Sequence, residues 1–385
     1  MGRRDVNTEI KYEGPISIEE DELPQLIELL NLVFRPNGGD MGMDYPRHVG
    51  KNNLANIRVI KQNGKIVSHV ATSVRPVLLG GIPTKVAGIG AVATHPDGRG
   101  QGLASILMDD AVSRSVQQGA DIMLISGDLG LYRRMNAVDC GSFSEVRIKK
   151  SELAPFSEMV KDLIIDEVIE QDIDRITSLR STLSTRYLLP REDMAALLKC
   201  KMVMDKPSDW WMIRNYEEAV GFGVIHCKGK DLFLLDWVGR PSVLNGATGV
   251  WFEIYEADTL TYVPVLPSFV PLAWRGFIQR ERYFDGTVLV IDAKRFLNRA
   301  MDYLAERIGE EKLAKLKIKA SGQYVRFKLG KDEVEFVNGG ELARFFFGEP
   351  NAIILSERLS AETELYQLLS HAFPVPLVWY GIGYV

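Results

Sequence analysis

Apolar positions along the first 150 residues alternate between two periods. Behind "ISIEED", Leu26, Leu29, Leu30 and Val33 recur at helical spacing. This predicts a short strand and then a helix, with Ser17 and Glu20 spaced as a capping box. The run "NIRVIKQNGKIVSHVATSVRPVLLGG" reads instead as two β-rich segments split by Asn63-Gly64. That pair predicts a hairpin, because both central residues of a type I′ turn need positive φ. "GGIPTK" turns the chain again into a third strand, "VAGIGAVAT", and "LASILMDDAVSRSVQQG" predicts a helix ended by Gly119. "DIMLIS" is continuously apolar, as a strand buried on both faces should be. "GLYRRMNAV" predicts a short helix and "SFSEVRIKK" an edge strand. Residues 1–150 are therefore expected to form an α/β domain with a mixed sheet.

A similar order restarts near residue 163. "IIDEVIEQDIDRITSLRSTL" predicts a strand and a helix, "REDMAALLKCKMV" a helix, and "WWMIRNYEEAVGFGVIHCKGKDLFLLDWVG" a set of antiparallel strands. "GATGVWFEIYEADTL" then takes the place of the helix, so 151–285 is expected to be a diverged internal duplicate. The remainder, 286–385, differs. "TVLVIDAKRFLNRAMDYLAERI" predicts a strand and an amphipathic helix, with Phe296, Leu297, Ala300, Met301 and Leu304 on one face. "LKIKASGQYVRFKLGKDEVEFV" alternates with period 2 and turns near Lys331-Asp332, and "GELARFFFGE" and "TELYQLLSHAF" predict short helices. A third, α+β domain fits these elements. No low-complexity linker separates the three, which predicts close packing.

Composition narrows the class. An apolar fraction of 46% and a charged fraction of 25% are those of an ordinary globular protein. No apolar run approaches the ~20 residues of a membrane span. "MGRRDVNTEI" has no apolar core after its arginines, and Val6 stands where a myristoylation signal wants Ser or Thr, so a cytoplasmic location is expected. The net charge of −5 disfavours nucleic acid as a partner and suits a cationic substrate. Cys140, Cys200 and Cys227 are far apart, which predicts free thiols and no metal site.

The chemistry concentrates in "VATHPDGRGQGLA", residues 92–104. A glycine-rich turn between a strand and a helix offers bare backbone N–H groups and a helix N-terminus, which together favour an anion, typically a phosphate. The Walker pattern needs a lysine that "GQGLAS" lacks, and the dinucleotide fingerprint needs a different glycine spacing. What does fit is Arg99, Gly102 and Ala104 as R-x-x-G-x-A, preceded by "AVATHP".

This loop resembles the pyrophosphate loop of the GNAT acetyltransferases, which bind acetyl-CoA as cosubstrate. The resemblance implies that Val92, Ala93 and Thr94 pair with the pantetheine arm. It also implies that Arg99, Gly100, Gln101, Gly102, Leu103 and Ala104 hold the diphosphate. Backbone N–H groups near Val92 would polarise the thioester carbonyl. Tyr132, in "SGDLGLYRRMNAV", stands where the family places the tyrosine that protonates the CoA sulfur. A reference pKa near ~10 makes it the right kind of acid, although transfer to a thiolate of ~8.5 is uphill. For the base, His69, His95 and Asp128 are the candidates among the residues of the first domain. His69, mid-strand, reads equally as a packing residue, and His95 as a flank of the phosphate.

The whole layout resembles the enhanced intracellular survival acetyltransferases, which have two GNAT-like domains and a C-terminal domain like sterol carrier protein. In that family the C-terminal carboxylate serves as base, here Val385 at the end of "PLVWYGIGYV". The apolar, uncharged tail predicts docking rather than fraying. "DWVGRPSVLNGATGVWF" lacks R-x-x-G-x-A, so the second domain is not expected to bind CoA. Trp210, Trp211, Trp237 and Asp236 could line a pocket, although aromatics at strand spacing are commonly core. The resemblance implies a primary amine acceptor (aminoglycoside, polyamine or lysine-like) and a trimer or hexamer. Two readings compete: a lipid carrier built on the third domain, and a non-catalytic acyl-CoA sensor.

Overall fold

The computed structural model describes residues 12–153, 163–264, 271–348 and 353–384. They fall into two compact units, one of residues up to 73 with 89–118, the other of 74–88 with 119 onward.

In the first unit, strand Tyr12–Ser17 pairs antiparallel with Ile57–Gln62, which pairs with the start of Lys65–Leu79. Asn63 (φ 51) and Gly64 (φ 75) form the predicted turn. Helix Leu23–Phe34 buries Leu26, Leu29 and Leu30 against Ile57, Val59 and Ile66. Each such burial contributes roughly 2 kcal/mol. Ser17 and Glu20 do not form the expected capping box. Ser17 Oγ donates to the Ala55 carbonyl (3.1 Å) and accepts from Arg58, while Glu22 accepts from the Glu19 N–H (3.1 Å). The Ser17 hydroxyl is drawn away because Arg58, held by Asp110 at 2.6 Å, reaches it first. That ion pair ties the strand to helix Leu103–Gln117.

In the second unit, strand Ile122–Ile125 is buried at every position, as its apolar run predicts. Thr287–Val290 pairs antiparallel with it. A seven-stranded sheet follows, ordered 278–282, 143–149, 259–262, 231–239, 218–228, 209–215 and 163–167. Its Asp231–Gly239 and Thr259–Tyr262 strands are parallel and the other neighbours antiparallel, a mixed sheet with helices against it. Phe143–Lys149, expected at an edge, lies inside this sheet, paired on one side with Thr259–Tyr262 and on the other with Ile278–Arg282. Its alternation could signal a strand but not its neighbours, which come from more than a hundred residues later.

The C-terminal part has a three-stranded antiparallel sheet, Lys317–Ser321, Tyr324–Leu329 and Asp332–Phe336. The expected single amphipathic helix is two, Ala293–Arg299 and Met301–Ile308, broken at Ala300 (φ −86, ψ 1). The break leaves Met301 exposed, although Phe296, Leu297, Ala300 and Leu304 are buried as predicted. Phenylalanines fill this core: Phe336 stacks on Phe345 at 4.5 Å and Phe345 meets Phe373 at 4.6 Å. Cys140, Cys200 and Cys227 are free thiols. Among the described residues, no helix is long and apolar enough to cross a membrane. None of their His, Cys, Asp and Glu side chains gather as a metal site.

His69 gives the first unit a pH dependence. It is fully buried, and burial lowers its pKa to about 4 against the bond it makes to Ala91. The unfolded chain therefore takes up a proton, as pH falls from 6.5 towards 4, that the folded chain refuses. The resulting loss of stability is about 2 kcal/mol at pH 5. Thermal melts should show a smaller drop between pH 7 and pH 5 for His69→Gln than for the parent. An equal drop in both proteins would mean that His69 is not held neutral.

Candidate functional site

In the first unit, the candidate cofactor loop is prepared at the end of strand Ile82–Thr94. Ala91 adopts φ 51, a left-handed conformation that costs a residue with a Cβ about 1 kcal/mol or more. Its carbonyl is held by His69 Nδ1 at 2.7 Å. A carbonyl only accepts, so that nitrogen carries the proton. Ser68 Oγ binds the Ala93 carbonyl (3.2 Å) and Thr94 Oγ1 (2.9 Å). These bonds fix the strand end Val92, Ala93, Thr94. Arg99 turns back to donate to the Thr94 carbonyl at 3.4 Å.

The loop then opens. His95 accepts from the Asp97 N–H and caps the short turn Pro96–Gly98. Gly100 and Gly102 both have φ 76, and a Cβ on either would meet nothing within 4 Å. Their need for glycine is conformational. Gly98 differs: its φ is ordinary, and a Cβ there would touch Leu103 at 3.5 Å. Gly102 is the N-cap of helix Leu103–Gln117 and carries no side-chain cap. Among the described residues, the N–H groups of Gly100, Gln101, Gly102, Leu103 and Ala104 donate to no protein acceptor. Free amides in a row at a helix start are an arrangement that can donate hydrogen bonds to an anion such as a phosphate.

The second unit holds Tyr132, on the short helix Gly130–Arg134. It is 4% exposed, and its ring lies against Gly127, where a Cβ would come within 3.4 Å of it. Burial raises the pKa of its phenol, which stays protonated at neutral pH. Among the described residues nothing hydrogen-bonds that phenol. Tyr384 lies within electrostatic reach of it, donates to the Leu124 carbonyl at 3.3 Å and hydrogen-bonds Ser126. The tail is therefore docked, as its composition predicts. Phe284 packs on Tyr380 at 4.3 Å, Tyr380 on Tyr384 at 4.6 Å, and Trp379 on Phe143 at 4.8 Å. Val385 itself lies outside the described residues.

The internal candidates for the base are each engaged in the structure. His69 is buried and neutral, and His95 serves as a cap. Asp128 is paired with Arg133 at 2.6 Å, which lowers its pKa. Trp210 and Trp211 are core residues. Trp237 and Asp236 do line a cavity, of about 40 Å³, with Tyr187, Tyr262 and Trp379. The left-handed turn at Ala91 escapes sequence reasoning, since alanine does not signal one, whereas Tyr384 is an aromatic anchor of the kind the tail's sequence suggests.

The strand–loop–helix arrangement is matched by comparison: residues 15–137 match the acetyltransferase (GNAT) domain family. The chain carries a GNAT acetyltransferase domain. The match ends at residue 137, ahead of strand Phe143–Lys149. The whole chain is similar in fold to a GCN5-related N-acetyltransferase from Kribbella flavida, with TM-score 0.67 and 16% identity over 96% of this chain and 97% of that one. A second such protein, from Anabaena variabilis, gives 0.65 and 17% over 97% and 98%. Eis1 from Mycobacterium abscessus gives 0.61 and 10% over 96% and 98%. No curated protein sequence matches the chain.

Within the GNAT domain the glycines are separable by experiment. Gly100→Ala and Gly102→Ala should each lower stability by about 1 kcal/mol through left-handed strain, while Gly98→Ala should stay within ~0.5 kcal/mol. Denaturant melts of the three variants check this. Equal effects at all three positions would show that backbone conformation is not what selects glycine here.

Proposed function

We propose that the chain is an acetyl-CoA-dependent N-acetyltransferase acting on a primary amine. The observation that carries this reading is the run of unpartnered N–H groups from Gly100 to Ala104, inside a GNAT domain. A diphosphate placed there would accept from several of them without displacing a side chain, and Arg99 adds a positive charge.

Direct transfer forms a C–N bond and breaks a C–S bond. The ammonium must first lose a proton, and the departing thiolate must gain one. Tyr132 is the acid in this reading. With reference values near ~10 for the phenol and ~8.5 for the thiol, the transfer is uphill by about 2 kcal/mol, and burial of Tyr132 adds to that. The phenol therefore keeps its proton until the C–S bond is breaking. Backbone N–H groups around Val92, aimed by the turn at Ala91, would polarise the thioester carbonyl. The base in this reading is the Val385 α-carboxylate, supported by the docking of Tyr384 and by the poor suitability of His69, His95 and Asp128. An α-carboxylate near ~3.5 is a weak base and needs burial or a relay water to serve.

The three-domain division at 150 and 285, a sterol-carrier-like third domain, and a trimer or hexamer belong to the same proposal. The phenylalanine-filled core of 286–373 disfavours the lipid-carrier alternative. The acceptor class (aminoglycoside, polyamine or lysine side chain) is open to a thiol-release screen.

Tyr132→Phe should lower kcat by about 10²-fold or more and leave acetyl-CoA affinity within about twofold. Steady-state thiol release and calorimetry check the two quantities. Unchanged kcat would remove Tyr132 from proton transfer. CoA binding with no thiol released from any amine would favour the sensor.

A further inference from the structure

We propose that Asp236, held by Arg180, is a positioning residue that clamps the C-terminal tail in register. The inference rests on the tail's role in the reading above.

Asp236 sits beside a break in strand pairing. The register passes from Val224–Asp236 to Ile225–Leu234, so Leu235 is an extra, unpaired residue. A bulge of this kind re-aims a neighbouring side chain. The Asp236 carboxylate takes two donors: Arg180 Nη1 at 2.8 Å and the Ile382 N–H at 3.1 Å. The Arg180 and Asp236 side chains are only 8% and 12% exposed. Burying such a pair costs desolvation that its own attraction rarely repays. Here the carboxylate has a further use, since the backbone of the tail lies directly on it.

Two glycines make that approach possible. Gly381 has φ 50, and a Cβ on it would come within 2.8 Å of Asp236 Oδ2. A Cβ on Gly383 would come within 2.3 Å of the Tyr187 ring. The charged groups facing the clamp are Arg180 and Arg186, which line the same cavity as Asp236. Arg186 donates to the Leu183 carbonyl rather than to the carboxylate. The clamp holds residues 381 and 382. Tyr384, two residues on, then reaches Leu124 and Ser126 at the end of the Ile122–Ile125 strand. A slip of one residue would carry Tyr384 and whatever follows it out of that place.

The test is hydrogen exchange of the 378–385 peptide, read beside steady-state kinetics. Arg180→Leu with Asp236→Leu removes the clamp without stranding a buried charge, and Gly381→Ala disturbs it while leaving the ion pair. In each, exchange at the tail should quicken about tenfold, the worth of one charge-assisted hydrogen bond. kcat should fall about tenfold with KM for acetyl-CoA unchanged, and the melting temperature of the double variant should stay close to the parent's. Parental exchange rates in both variants would overturn the clamp. A deletion of Val385 separates this from the reading beneath it. Parental kcat in that deletion removes the carboxylate from the chemistry, whereas faster exchange in the clamp variants still shows that Asp236 holds the tail. Faster exchange with parental kcat, where the deletion is slow, would overturn the positioning role.

Discussion

Strand Ile122–Ile125 is buried along its whole length, so its backbone N–H and C=O groups must all find partners within the protein. Thr287–Val290 supplies one edge of that pairing from some 160 residues further along the chain. Much in the second unit follows from this long-range ladder. Gly286 enters so closely that a Cβ would sit 2.2 Å from the Ile125 carbonyl and 2.6 Å from the Tyr380 hydroxyl. Phe284, just before it, packs against Trp379, Tyr380 and Tyr384. The same segment thus completes a sheet and builds the aromatic wall on which the tail rests.

Two strand–helix–strand segments, 82–125 and 231–262, show why a shared order of elements does not give a shared loop. After Ile82–Thr94 the chain takes a loop with two left-handed glycines before its helix, leaving a row of free amides. After Asp231–Gly239 the helix starts at Pro241, with Arg240 as the whole connection. Proline has no N–H to offer at the first helical position, and no loop precedes it to curl around an anion. The second segment keeps the architecture and lacks the glycine loop.

What could be read beforehand divides along the same line. The Asn63-Gly64 turn, the stop at Gly119, the buried strand 122–125 and the glycine loop ahead of helix Leu103–Gln117 were legible because each depends on residues within a few positions of itself. Phe143–Lys149 was legible as a strand but not as an inner strand, because its partners are chosen by distant sequence. The Ser17 cap failed for the same reason, with Arg58 competing for the hydroxyl. Docking of the tail could be anticipated from its lack of charge. That Asp236 would meet Ile382 could not, since 146 residues separate them. Ala91 carries no local mark of its left-handed φ, and the ring that holds its carbonyl, His69, comes from 22 residues away.

Among the described residues, the loop from Gly100 to Ala104 is the one proposed to hold the diphosphate of an acyl-CoA. Calorimetric titration of the intact protein with CoA measures this directly as a stoichiometry. One molecule bound per chain is the predicted result. Two per chain would mean that the junction at Pro241 also binds, and none would contradict the reading of Gly100 to Ala104 as a cradle.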